Sequence, residues 1–186
     1  LSGGIPGRGS MVAWVNLNRL PSTSGVFFYI AGESQVSNDF DVQFRNDDRL
    51  YFYTGAGENT SYLPDPGTLV GRGNQLAVTY DSAAGFRNIY WNGVLVASSL
   101  GGINLAAKSS IFTIGYTPVF PGRDFDGMID EVAVFDYALS KGQVSQLYAP
   151  AVPEPSTSAL LGAGASLLCL AGKWRSRSAH GPHREG

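Results

Sequence analysis

Carboxylates are the side chains of this chain best suited to catalysis, and their spacing decides little in its favour. Retaining hydrolysis of a sugar bond needs an acid and a nucleophile about 5–5.5 Å apart across a cleft. On a strand the two must share parity, i and i+2 or i+4, to stand on one face. Asp126 and Asp130 have that parity, but Gly127 and the loop before Met128 break the strand between them. Asp130 and Glu131 are adjacent and fall on opposite faces. The two histidines, His180 and His183, lie near the carboxyl end and are too few for a metal site, and the single cysteine, Cys169, sits in an apolar run. Residues 1–150 therefore offer neither thiol nor imidazole chemistry, and the reading is that of a protein that is not an enzyme.

Aromatic side chains are the other candidate for a site, because sugar rings stack on exposed Trp and Tyr faces while amides and carboxylates take the hydroxyls. Tyr51, Tyr53 and Tyr62 lie where they could reach a surface, whereas Trp14 and Trp91 read as core. Phe27, Phe28 and Tyr29 are consecutive and cannot all face inward. Asp47-Asp48 reads as a turn. Asn59-Thr60-Ser61 fits a glycosylation sequon. Residues 1–150 hold nine Lys/Arg against thirteen Asp/Glu, and residues 151–186 four against two, so the larger part carries −4 and the remainder +2. A lysine-poor acidic domain argues against nucleic acid, which needs a basic face.

The elements that must position these residues are strands. Short alternating or apolar runs rich in Val, Ile, Phe and Tyr predict strands at 10–17, 25–32, 39–45, 50–55, 75–80, 88–91, 94–98, 110–116 and 128–135. Twenty-four glycines and ten prolines supply the turns between them. The sharpest is Asn92-Gly93, flanked by Ile89-Tyr90-Trp91 and Val94-Leu95-Val96, which predicts a type I′ hairpin turn. One short helix is expected, capped by Ser140 with Gln143 three residues on, and with Val144, Leu147 and Tyr148 as its apolar face.

Three segments in order resemble the laminin G-like branch of the concanavalin A-like jelly rolls. They are Met11-Val12-Ala13-Trp14-Val15; Leu76-Ala77-Val78-Thr79-Tyr80-Asp81 with the hairpin 89–97; and Phe125-Asp126-Gly127-Met128-Ile129-Asp130-Glu131-Val132, which runs on to Ser140. The resemblance implies an all-β, two-sheet sandwich over residues 1–149 that binds polysaccharide or a surface protein. A glycoside hydrolase or lyase acting on exopolysaccharide is the alternative, but the E-x-D-x-x-E pattern of the family's hydrolases is absent. It further implies that Asp130 accepts from backbone N–H groups. Calcium, which takes six to eight oxygens, is the sharper implication; the best set is Asn38, Asp39 and Asp41, met by Asp124 from the 116–126 loop. Two departures stand out. Asn74 and Gln75 replace a Trp that usually precedes the second segment, and an opening strand is missing before residue 11. With Leu1 in place of Met and no secretory signal, the chain reads as amino-terminally truncated, and residues 1–150 alone are expected to fold poorly or self-associate through an unpaired edge.

The last segment reads Val152-Pro153-Glu154-Pro155-Ser156-Thr157, then an uncharged run through Gly172, then Lys173, Arg175 and Arg177. A helix over 156–172 would be about 25 Å long, near the lower limit for spanning the hydrocarbon core, with Trp174 and the basic residues at the headgroups. This order resembles the PEP-CTERM sorting signal. It implies a Pro-rich linker at 150–157 carrying Pro153, Glu154 and Pro155, a transmembrane helix and basic stop at 158–178, and a cytoplasmic tail at 179–186. It also implies export, contact with the membrane through 156–174, handling by an exosortase, and delivery to the surface or matrix of a Gram-negative bacterium.

Overall fold

Alternation of apolar and polar residues builds two five-stranded antiparallel sheets, which pack face to face. The computed structural model describes residues 7–33, 40–55, 59–103, 105 and 111–149. The first sheet has the order β10-β1-β6-β7-β8: β1 is Arg8–Leu17, β6 Asn74–Asp81, β7 Phe86–Trp91, β8 Val94–Leu100 and β10 Gly127–Phe135. The second has the order β5-β4-β3-β2-β9: β2 is Phe28–Glu33, β3 Phe40–Phe44, β4 Leu50–Thr54, β5 Asn59–Tyr62 and β9 Phe112–Ile114. The all-β sandwich and nearly all its strands follow the sequence pattern. The exception is β5, whose Asn-Thr-Ser-Tyr carries no apolar alternation. The short helices α1 (Pro21–Ser24) and α2 (Pro66–Leu69) are likewise additions.

Period-2 geometry sends Met11, Val15 and Leu17 of β1, Leu76, Val78 and Tyr80 of β6, and Ile89 and Trp91 of β7 inward. They meet Phe28, Ile30, Phe40, Val42, Phe44, Leu50 and Phe52 of the second sheet, all buried. Fully burying side chains of this size contributes roughly 1.5–3 kcal/mol each. Arg87 crosses the gap: it donates from Nε to Thr60 Oγ1 (3.1 Å) and from Nη1 to Thr54 Oγ1 (3.1 Å) and the Gly101 carbonyl (3.0 Å). It ties β7 to β4 and β5 at one end of the sandwich.

The middle of the outer face of the first sheet carries a covered apolar patch. Val12, Ala77 and Tyr90 form a second cluster with Leu139 and Val144, the latter from α3 (Lys141–Tyr148). This helix starts at the expected cap, with both halves of the Ser140–Gln143 capping box present. Its apolar face is narrower than the sequence suggests: Val144 is buried, whereas Leu147 stays exposed and Tyr148 stacks on Trp14 at 6.0 Å. Trp14 therefore stands on the outer face, not in the core, because it shares parity with Val12 and not with Met11 and Val15. Trp91 is in the core as expected.

Asn74 and Gln75, the residues in place of a Trp, hold this end together. Asn92 is at φ 51° and Gly93 at φ 75°, as a type I′ turn requires. The Asn92 side chain accepts from the Gln75 backbone N–H (2.9 Å) and donates to Asn74 Oδ1 (3.0 Å), while Gln75 Nε2 donates to the Leu147 carbonyl (2.9 Å). A Cβ at Gly93 would lie 2.9 Å from the Tyr148 side chain, besides the unfavourable positive φ. Gly93→Val is expected to lower the stability of the full chain by roughly 1–3 kcal/mol, read from the midpoint of urea unfolding; an unchanged midpoint would contradict the turn described here.

Candidate functional site

The outer face of the second sheet is built differently. The run Phe40-Asp41-Val42-Gln43-Phe44-Arg45 alternates, so Asp41, Gln43 and Arg45 point away from the core. Pairing aligns Asp41 with Tyr53 and with Gly32, and Gln43 with Tyr51 and Tyr29. Alternation from Phe28 puts Tyr29 on the outer side and Ile30 in the core, and an irregularity between Tyr29 and Ala31 resets it so that Ala31 also faces the core and Gly32 faces out beside Asp41. The row is closely packed: a Cβ at Gly32 would fall 2.1 Å from the Phe40 carbonyl and 2.6 Å from the Tyr29 hydroxyl.

Two arginines top this face. The Arg45 guanidinium lies 5.0 Å from the Phe27 ring, 4.8 Å from Tyr51 and 5.1 Å from Tyr53, and the two tyrosine rings stack at 5.9 Å. Arg123, from the loop between β9 and β10, lies 4.6 Å from Phe27 and 4.0 Å from Phe120. Cation–π contact of this kind fixes a guanidinium while leaving its edge N–H groups to other partners. The loop is held by backbone bonds: the Tyr29 N–H donates to the Arg123 carbonyl (2.9 Å), Gly115 to Ile30 (2.8 Å) and Phe125 to Gly115 (2.7 Å). Beside Arg123 opens a cleft of 280 Å³ lined by Gly25, Val26, Phe27, Pro121 and Gly122.

Beneath the arginines the polar groups are buried and incompletely bonded. Asp41 is 2% and Gln43 0% exposed. Asp41 Oδ1, both amide atoms of Gln43, Arg45 Nε and Thr113 Oγ1 have no hydrogen-bond partner. Burial pushes the Asp41 carboxyl up to about 7, against the opposing pull of Arg123 and Arg45. Burial also raises Tyr53 and lowers Arg123. Tyr51 is half-exposed and donates from its hydroxyl to Asp47 at 2.9 Å.

A family model described as the concanavalin A-like lectin/glucanases superfamily matches residues 6–145. The chain belongs to this superfamily. Residues 151–177 match the PEP-CTERM protein-sorting motif, which implies export, a membrane-anchored intermediate and processing by exosortase. No curated protein matches the chain. Among solved structures, the concanavalin A-like domain is similar to a Bacteroides ovatus protein thought to bind carbohydrate, at 24% identity and a TM-score of 0.59, over 75% of this chain and 40% of that one. The receptor-binding domain of botulinum neurotoxin D is similar at 16% identity and a TM-score of 0.59, over 80% and 38%. That of botulinum neurotoxin type G is similar at 14% and 0.56, over 78% and 38%. The chain thus spans two fifths or less of the length of each, and the likeness shows the fold.

Of the sequence-derived candidates, Tyr51 and Tyr53 join the second-sheet face. Tyr62 packs against the core beside Trp91 instead, at 6.2 Å. Asp41 lies on the face, but the loop charge that acts on it is Arg123, while Asp124 is exposed. Asn38 and Asp39 lie outside the described residues. Among the described residues no group of three acidic, histidine or cysteine side chains gathers to hold a metal. Pro153, Glu154, Pro155, Lys173, Arg175, Arg177 and the expected membrane helix also lie outside the described residues; among the described ones no helix is long and apolar enough to cross a membrane.

The acidic pair considered for catalysis is divided between two structural duties. Asp126 accepts from Asn18 Nδ2 (2.9 Å) and pairs with Arg19, and these hydrogen bonds hold its carboxyl below the usual range. Asp130 accepts from the Glu131 N–H (2.8 Å), where Glu131 takes φ 50° opposite the irregularity in the β1–β10 ladder. Asp48 is a turn residue at φ 61°, and its carboxylate also takes the Ser22 N–H and hydroxyl at the start of α1. Arg45 and Arg123 went unseen in the sequence. The alternation at 40–45 is a signal for the first, and none marks the second, which arrives from a distant loop.

Because folding raises the pKa of Asp41, the native state holds between about pH 4 and 7 a proton that the unfolded chain has released. This group's contribution to stability is full below about pH 4, declines between about pH 4 and 7, and is lost above that. Asp41→Asn is expected to remove this decline, so the variant should unfold at higher temperature than the parent at pH 8 and show little difference at pH 4. A parent whose melting temperature does not fall between pH 5 and 8 relative to the variant would contradict the burial of this carboxyl.

Proposed function

We propose that this is an exported, non-enzymatic surface or matrix protein whose concanavalin A-like domain binds polysaccharide on the outer face of the second sheet. The observation that carries this reading is the contrast between the two outer faces. One carries an apolar cluster under a helix. The other carries half-exposed Tyr51 stacked on buried Tyr53, two ring-held arginines with a cleft beside them, and the buried carboxyl and amide of Asp41 and Gln43 with atoms that lack partners. Stacked aromatics with polar groups set among them suit a sugar ring, which has apolar faces and a hydroxyl edge. The superfamily and the Bacteroides ovatus relative support the choice of ligand class.

Delivery to the surface of a Gram-negative bacterium would follow from the tail, with Pro153, Glu154 and Pro155 read by exosortase, residues 156–174 held in the membrane, and Lys173, Arg175 and Arg177 retained on the cytoplasmic side. Replacing Pro153, Glu154 and Pro155 by alanine in cells that make exosortase should leave the tail attached and the protein in the membrane fraction, as shown by the mass of the isolated chain. Processing at the parental rate would remove these three residues from the proposed role.

Binding is tested by passing the full chain, in mild detergent, through gels containing bacterial exopolysaccharide. Saturable retardation with polymer length unchanged is the expected result. Tyr51→Ala should weaken it about tenfold, or 1.4 kcal/mol, at little cost in melting temperature because the ring is half-exposed. Shortening of the polymer would replace this reading with that of a glycoside hydrolase or lyase.

A further inference from the structure

The proposed polysaccharide site carries a charge that a neutral sugar would not use. Residues 1–150 are net −4, yet the second-sheet face gathers Arg45 and Arg123 about one ring, that of Phe27. Neither is in an ion pair; among the described residues those are Arg19–Asp126 and Arg49–Asp47. The acid near them, Asp41, is a buried carboxyl that titrates near neutrality, so it offsets their charge only in part. Arg45 Nε and both ends of the Gln43 amide are buried and without partners. The cleft beside Arg123 leads to this cluster from solvent.

We infer that the polymer is anionic and that Arg45 and Arg123 take a carboxylate borne on a sugar ring, as in a polyuronate. This deepens the proposed function and rests on it. The planar guanidinium fork matches a planar carboxylate through two parallel hydrogen bonds. Rings already hold the guanidinium planes, so little side-chain freedom remains to be lost on binding. Phe27 and half-exposed Tyr51 flank the charged groups. The surrounding acidic surface disfavours polyanions in general, which leaves a short-range, shape-matched contact as the source of affinity. A sulfate ester supplies negative charge with tetrahedral geometry, and a sulfated polymer is therefore expected to bind more weakly.

The test uses the full chain in mild detergent and gel retardation with four polymers: polygalacturonate, its methyl ester, dextran and dextran sulfate. Polygalacturonate should be bound at least tenfold more tightly than the other three. Arg123→Gln and Arg45→Gln should each reduce that binding about tenfold or more. Arg123→Lys, which keeps the charge and loses the fork, should recover only part of it, and circular dichroism should show the native fold in all three variants. Equal binding of the acid and its methyl ester, or preference for dextran, would overturn the carboxylate inference while the polysaccharide reading stood. Binding of dextran sulfate as strong as that of polygalacturonate, or indifference to Arg123→Gln, would overturn it as plain polyanion attraction. Retardation by none of the four, nor by bacterial exopolysaccharide, would remove both readings.

Discussion

The second-sheet face depends on three backbone hydrogen bonds that pin the loop after β9. Phe125 to Gly115 closes the loop on itself, and Gly115 to Ile30 and Tyr29 to Arg123 fasten it to β2. Without them Arg123 would be one cation on a free loop, and ordering it at a ligand would cost conformational entropy. With them it sits over Phe27 and Phe120 before any ligand arrives. The irregularity in β2 belongs to the same arrangement, because it brings Ala31 into the core after Ile30 and so sets Gly32 on the outer side beside Asp41.

The two sides of the sandwich solve the same problem in opposite ways. A sheet with one face on the core has a second face to satisfy, and the first sheet does so by burying Val12, Ala77 and Tyr90 under Leu139 and Val144. The second sheet leaves polar atoms of Asp41, Gln43, Arg45 and Thr113 unbonded. Buried polar groups without partners cost about 1–3 kcal/mol each, so this face is retained at the expense of stability. Such cost concentrated on one face, beside a cleft, is the usual mark of a surface shaped for something other than folding.

Much of the fold was legible because period-2 alternation is a backbone property that survives without knowledge of tertiary contacts. The Asn92-Gly93 turn and the Ser140–Gln143 cap were equally local and equally readable. Strand β5 was not, since Asn59-Thr60-Ser61-Tyr62 owes its strand to pairing with β4 and to Arg87 reaching Thr60, neither of which leaves a trace in its own composition. Trp14 was misplaced because a large aromatic in a strand invites a core assignment, although its parity with Val12 already argued otherwise. The site was legible in fragments. Tyr51, Tyr53 and Asp41 were visible as types, but the charges beside Asp41, Arg45 and Arg123, are brought to it by a register and a loop that only the folded chain reveals. Asn74 and Gln75 stood out as departures, and their purpose needed the sight of Asn92 and Leu147 beside them.

The anchoring of Leu147 and Tyr148 has a mechanical side. Gln75 and Trp14 hold the end of α3 to the outer face of the first sheet, and the arginines stand on the outer face of the second. A pull between a ligand held on the second-sheet face and the end of α3 would load the two layers apart, across their thickness and not along a strand. Resistance to such a pull falls on the inter-sheet packing and on Arg87, the buried cation that stitches β7 to β4 and β5. Under such a pull the interior of the sandwich is the link in tension.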